Sequence, residues 1–194
     1  MKICVFGASS AHIDDKYIQV VEKLGEEMAK RGHSLVFGCG GTGLMGAAAR
    51  GVKRGGGYIH GVVPTFFKQN GVEILFDECD KVTYTQTMRE RKAIMEDDAD
   101  AFIIVPGGVG TFEEFFEIVT LKQLNRHDKA IAVLNIENYY DELEVFMRTA
   151  CERKFITKTC LTLYKVFGDI EDVLGYLENY VPQALPFSRT KLGD

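Results

Sequence analysis

Six short apolar runs recur along the chain, each separated from the next by a helix-length segment, and this alternation restricts the fold more than any other feature. The runs are ICVF (Ile3–Phe6), SLVF (Ser34–Phe37), YIHGVV (Tyr58–Val63), AFIIV (Ala101–Val105), AIAVL (Ala130–Leu134) and LYKVF (Leu163–Phe167). Amphipathic segments fill the intervals at Asp14–Arg31, Leu44–Arg54, Gln86–Asp97, Thr111–Asn125 and Tyr139–Lys154, with a last helix over Ile170–Asn179. Strands that are apolar on both faces and alternate with helices predict a parallel sheet covered on each side. The expected fold is therefore a Rossmann-like, doubly wound α/β sheet flanked by helices. It should form one nucleotide-binding domain over residues 1–180, with 181–194 as a C-terminal tail.

One stretch breaks the rhythm. PTFFKQNGVEILFDECD, Pro64–Asp80, is too long for a simple connection and carries Phe66, Phe67 and Phe76. Such a loop either walls a ligand or is pinned to the body by its phenylalanines. The net charge of −5 argues against nucleic-acid binding, which needs a basic surface. Five cysteines without a CxxC spacing predict buried thiols in a reducing compartment, and four scattered histidines offer no metal site. The chain opens on a strand without a basic leader, and no apolar window reaches membrane-spanning length. A cytoplasmic protein without membrane partners is expected.

In an open parallel sheet, ligands bind beyond the carboxyl ends of the strands. Three glycine-bearing turns fall at such ends: GASS (Gly7–Ser10), GCGGTGLMG (Gly38–Gly46) and PGGVG (Pro106–Gly110). Together they point to a nucleotide or other phosphorylated ligand, with Ser9, Gly40, Gly41 and Met45 as candidate contacts in the first two turns. The dinucleotide fingerprint GxGxxG is missing after the first strand, and no turn ends in the Gly-Lys-Ser/Thr of a P-loop. Neither a standard dehydrogenase nor an NTPase is favoured.

The third turn runs into TFEE, and two readings fit it. Thr111 and Glu114 match a capping box, in which the acid serves only the helix end. Alternatively, Glu114 shares a helical line with Ile118 and Leu121, which turns its carboxylate inward beside the N–H groups of the helix start. On the preceding helix, Arg91 and Lys92 of MRERK flank the line through Met88 and Met95. An arginine there either snorkels outward or needs an anionic partner, because an unpaired buried charge is costly. The strand Ala101–Val105 links the two helices, so Glu114 can supply that partner.

GLMG, MRERK and PGGVGTFEE, in this order and spacing, resemble the Lonely Guy family of cytokinin-activating phosphoribohydrolases, once labelled "lysine decarboxylase-like". The likeness runs over nearly the whole chain and includes HDKA (His127–Ala130) and LNIENYYD (Leu134–Asp141). It implies hydrolysis of the N-glycosidic bond of a nucleoside 5′-monophosphate to free base and ribose 5-phosphate, with Arg91 and Glu114 catalytic. It also implies substrate contacts at Glu73, Lys92, Gly108, Val109, Gly110, Thr111, Phe112, Glu113 and Thr120, a homodimer, and no metal or organic cofactor. Three positions depart from the family pattern: Ala8 and Cys39 stand where glycine is usual, and Arg89 where histidine is common. Two rival functions remain at this level. A pyridoxal-phosphate decarboxylase would need a Schiff-base lysine motif that is not evident. A non-catalytic nucleotide or cofactor carrier could use the same glycine turns without pairing Arg91 with Glu114.

Overall fold

In the computed structural model, seven strands form one parallel sheet in the order β4-β3-β2-β1-β5-β6-β7. They are β1 (Lys2–Phe6), β2 (Ser34–Phe37), β3 (Ile59–Pro64), β4 (Lys81–Thr85), β5 (Ala101–Ile104), β6 (Ala130–Leu134) and β7 (Lys165–Phe167). The helices are α1 (Asp15–Lys30), α2 (Gly43–Arg54), α3 (Thr65–Asn70), α4 (Met88–Asp98), α5 (Val109–Gln123), α6 (Asp141–Glu152) and α7 (Ile170–Glu178). The structure describes residues 1–70 and 74–182, without the side chains of residues 68–70. Successive strand residues point to opposite faces. Ile3, Val5, Leu35, Phe37 and Ile103 meet α1, α2 and α7 on one face. Cys4, Phe6, Val36, Phe102 and Ile104 meet α4, α5 and α6 on the other. Both faces are buried, which is why these strands read as unbroken apolar runs.

β1 pairs with β2 on one side and β5 on the other, so the winding reverses between β1 and β5. A crevice opens beyond the carboxyl ends of strands at such a reversal. The loops leaving β1 and β5 stay joined there by the Ala8 N–H, which donates to the Pro106 carbonyl at 3.1 Å.

The sheet has one strand more than the apolar runs predict. KVTYT, β4, lies at the sheet edge with Val82 and Tyr84 exposed, so it lacks the two-sided hydrophobicity that marks the interior strands. The expected long loop Pro64–Asp80 also resolves into parts. Pro64 ends β3, α3 follows, and the return segment pairs with the turn after β2. Gly41 N–H donates to Ile74 O at 2.7 Å, and Phe76 N–H to Cys39 O at 2.9 Å. Phe76 is buried edge-on against Phe37, so it pins the segment to the core rather than walling a ligand.

Candidate active site

α4 is built to carry an arginine inward. Thr87 caps it: its hydroxyl accepts from the Glu90 N–H at 3.1 Å, while the Glu90 carboxylate takes the Thr87 N–H at 3.3 Å. With the helix start fixed, Arg91 falls on the face toward the sheet and is only 4% exposed. Its guanidinium is held by main chain. Nε donates to the Val62 carbonyl at 3.1 Å and Nη2 to the Gly38 carbonyl at 3.2 Å. A Cβ on Gly38 would sit 1.6 Å from Nη2, so only glycine leaves room for the arginine there. The Phe67 ring of α3 lies 5.6 Å from the guanidinium carbon, within cation–π range.

α5 brings the carboxylate. It begins at Val109 with Gly108 as N-cap and no side-chain cap. The capping-box reading of TFEE is thereby corrected: the helix starts two residues before the expected Thr111, which becomes a buried residue of the first turn packed over Gly107. The first intrahelical bond in that turn is Phe112 N–H to Gly108 O at 3.0 Å. The N–H groups of Val109, Gly110 and Thr111 precede it, at the positive end of the helix dipole. One turn on, the Glu114 side chain is 12% exposed, and its Oε1 lies 3.9 Å from Arg91 Nη1. That is an ion pair at the outer limit of contact.

Gly7, Ala8, Ser9, Ser10, Met45, Phe67, Arg91, Gly108, Gly110, Thr111 and Glu114 enclose a cleft of about 340 Å³ at the β1–β5 reversal. Of the residues expected from sequence, the structure gathers Ser9, Met45, Arg91, Gly108, Gly110, Thr111 and Glu114. It places others elsewhere. Gly40 and Gly41 pair with the 74–76 segment, and a Cβ on Gly41 would meet the Leu75 carbonyl at 2.9 Å. Phe112 packs edge-on against Tyr140 on the sheet side, while Val109 is 84% exposed. Lys92 reaches across the outer seam between α4 and α5 to Glu113 and to Glu117. Burial opposes its charge, but the two carboxylates outweigh burial and hold its pKa above the usual lysine value. Thr120 is exposed, about 13 Å along α5 from Thr111 at 1.5 Å per residue. Glu73 lies outside the described residues.

Sequence reasoning did not single out Gly38, Val62 or Phe67. The first two act through carbonyls, which leave no side-chain signature. Phe67 stood in the interrupting segment among three phenylalanines, with nothing to separate it from Phe76. No lysine lines the cleft among the described residues, and none of them form a group of three or more metal-binding side chains.

A doubly wound α/β protein whose cleft at the strand-order reversal holds an arginine–glutamate pair is the class that fold and site define. A family model described as "Possible lysine decarboxylase" matches residues 45–177. A cytokinin riboside 5′-monophosphate phosphoribohydrolase of Arabidopsis thaliana, LOG1, is 38% identical over 182 residues, covering 94% of this chain and 84% of the relative. A second from the same plant, LOG2, is 36% identical over the same shares. The chain belongs to this Lonely Guy family of phosphoribohydrolases. Among solved structures, the molybdenum cofactor carrier protein of Chlamydomonas reinhardtii superposes with a TM-score of 0.70, at 22% identity over 91% of this chain and 95% of that one. At that identity the likeness speaks for the fold alone.

Proposed function

We propose that the chain hydrolyses the N-glycosidic bond of adenosine 5′-monophosphates of the cytokinin type, releasing the base and ribose 5-phosphate. The observation that carries this reading is the pairing of buried Arg91 with Glu114 beside an uncapped helix N-terminus, all within one cleft. The N–H groups at Gly108–Thr111 and the Thr111 hydroxyl receive the 5′-phosphate, as helix N-termini do for anions. The ribose then lies over the first turn of α5, facing Glu114. As the bond from C1′ to the base nitrogen breaks, its electron pair leaves with the base and positive charge grows on the sugar. The Glu114 carboxylate stabilises that charge and accepts a proton from the water that adds to C1′, and the departing base takes up that proton, so the carboxylate is restored. Arg91 sets a positive charge beside Glu114 and is itself fixed by two carbonyls that cannot rotate away.

Lys92 is paired with Glu113 and Glu117 and Thr120 is exposed, and neither is among the residues that line this cleft. Their expected role in substrate binding therefore supports a homodimer in which the surface of one copy completes the site of another. Light scattering on purified protein checks the stoichiometry. Among the described residues no helix is long and apolar enough to cross a membrane. Cys4, Cys79 and Cys151 are thiols outside any disulfide, which fits a reducing, cytoplasmic compartment that cell fractionation would test.

The test of the activity is incubation with AMP and with isopentenyladenosine 5′-monophosphate, following base and ribose 5-phosphate by chromatography. Both bases should be released, and Glu114→Gln and Arg91→Ala should each lower kcat/KM by at least about 10²-fold. Near-normal turnover in either folded variant sinks the assignment. AMP binding without release by the unaltered protein would favour the carrier reading instead.

A further inference from the structure

A second cavity, of about 300 Å³, lies on the other side of the same two loops. Ile13, Tyr17, Leu44 and Tyr139 give it apolar walls, and Asp14 and Ser10 add polar groups. Ala8, Ser10 and Gly108 line both this cavity and the catalytic cleft, so the two are neighbours across one short rim. The walls are tied in place. The Tyr139 hydroxyl donates to the Gly107 carbonyl at 2.6 Å, and Glu137, in the turn before Tyr139, pairs with Lys16 of α1 at 3.1 Å. One Asp14 oxygen accepts the Lys16 N–H at 3.0 Å, which leaves the other acceptor positions of this exposed carboxylate available.

A nucleoside monophosphate held as described above puts its ribose and base on the Arg91–Glu114 side. Its phosphate sits at Gly108, on the shared rim. Any further group attached through that phosphate would cross the rim between Ser10 and Gly108. Beyond it, a planar ring meets two aromatic walls, whose edges and faces favour stacked or edge-on contact. A sugar meets the Asp14 carboxylate, which accepts hydroxyl protons and repels additional anions. The volume suits a ring with part of a sugar, at the small end of ligand pockets. We propose that this cavity receives the second half of a dinucleotide, a 5′-diphosphate diester whose adenosine half occupies the catalytic cleft. This rests on the placement of the 5′-phosphate at Gly108–Thr111.

Titration calorimetry on the Glu114→Gln protein, which does not consume its ligand, compares AMP, ADP and nicotinamide adenine dinucleotide. The dinucleotide should bind at least about tenfold tighter than AMP, the size of step that 1.4 kcal/mol of added contact gives. ADP, which adds a phosphate but no ring, should not. Tyr17→Ala and, independently, Ile13→Glu should each return the dinucleotide to the AMP level. In an otherwise unaltered enzyme, both should leave AMP hydrolysis unchanged. A dinucleotide no tighter than AMP, or a gain that survives both substitutions, overturns this inference alone. Failure of AMP itself to bind overturns the phosphoribohydrolase reading and this inference with it.

Discussion

The glycine-rich loops that leave β2 and β5 look alike in sequence and do opposite things. In the loop from Gly38 to Gly43, the absent side chains make room for the protein itself: the Arg91 guanidinium at Gly38 and the returning 74–76 segment at Gly41. In the loop from Pro106 to Gly110, a Cβ on Gly108 or Gly110 would meet no protein atom within 4 Å. The first loop is packed from within, and the second, beyond Gly107 under Thr111, is left open. Glycine content alone therefore does not mark a ligand site. Of these two loops, the one whose glycines stay open at Gly108 and Gly110 is the one that lines the cleft.

Substitutions should separate the two loops by opposite patterns of damage. The largest effect is expected at Gly38→Ala, whose methyl must displace Arg91. Activity should fall about 10²-fold, as for misplacement of a catalytic group by about 1 Å, and overpacking should cost about 1–3 kcal/mol in denaturant unfolding. If Gly38→Ala is fully active, the first loop is not the support of the arginine. Gly110→Ala should behave in reverse. Its helical position gains up to about 1 kcal/mol of stability, while KM for AMP rises about tenfold from a methyl near the phosphate seat. A stabilised variant with unchanged KM would deny that the phosphate lies there.

The faces of α4 repeat the contrast in electrostatic form, Arg91 facing the sheet and Glu96 lying on the outer seam. Burial, and then the charge of Glu117, push the Glu96 pKa up to about 7. A carboxyl raised above its unfolded value binds its proton more tightly in the native state. Stability from this group is thus greatest below pH 4.5 and is lost as pH rises toward 7. Glu96→Gln should remove that slope and stabilise the protein at pH 8 by about 1 kcal/mol, after discounting for its partial exposure. Parallel pH-dependent unfolding curves for the two proteins would contradict the shift. The smallest effect is expected at Cys39→Gly, in the packed loop. It relieves a left-handed backbone with φ of 67° but loses a buried sulfur 3.9 Å from that of Cys79. The net change in melting free energy should stay below about 1 kcal/mol, with AMP turnover unaltered.

The interior of this fold was legible from sequence because β1, β2, β5 and β6 are buried on both faces and must be apolar throughout. The edge strand β4 was not, since one face is solvated and its lysine, threonines and tyrosine obscure the period. Arg91 and Glu114 were legible as a pair because helical spacing placed each toward the sheet and a single strand joins their helices. The start of α5 was misread because Thr111 and Glu114 fit a cap at the right spacing, whereas Gly108 begins the helix with no side-chain signal. Gly40 and Gly41 resembled a phosphate turn but serve a bridge to Leu75, a contact between segments more than thirty residues apart. No local pattern reports such a contact.

Arg91 is gripped by the carbonyls of Gly38 and Val62, and a carbonyl is encoded by no codon. No exchange of an acceptor side chain can loosen the Nε and Nη2 contacts by degrees; only Nη1, toward Glu114 and Met88, answers to side chains. Inherited variation in those two contacts must instead act through the arginine itself, the glycine beneath it, or the ends of β2 and β3. A designer wishing to transplant this site would have to move two strand termini along with it, because the arginine's setting belongs to the sheet and not to any set of residues that can be grafted.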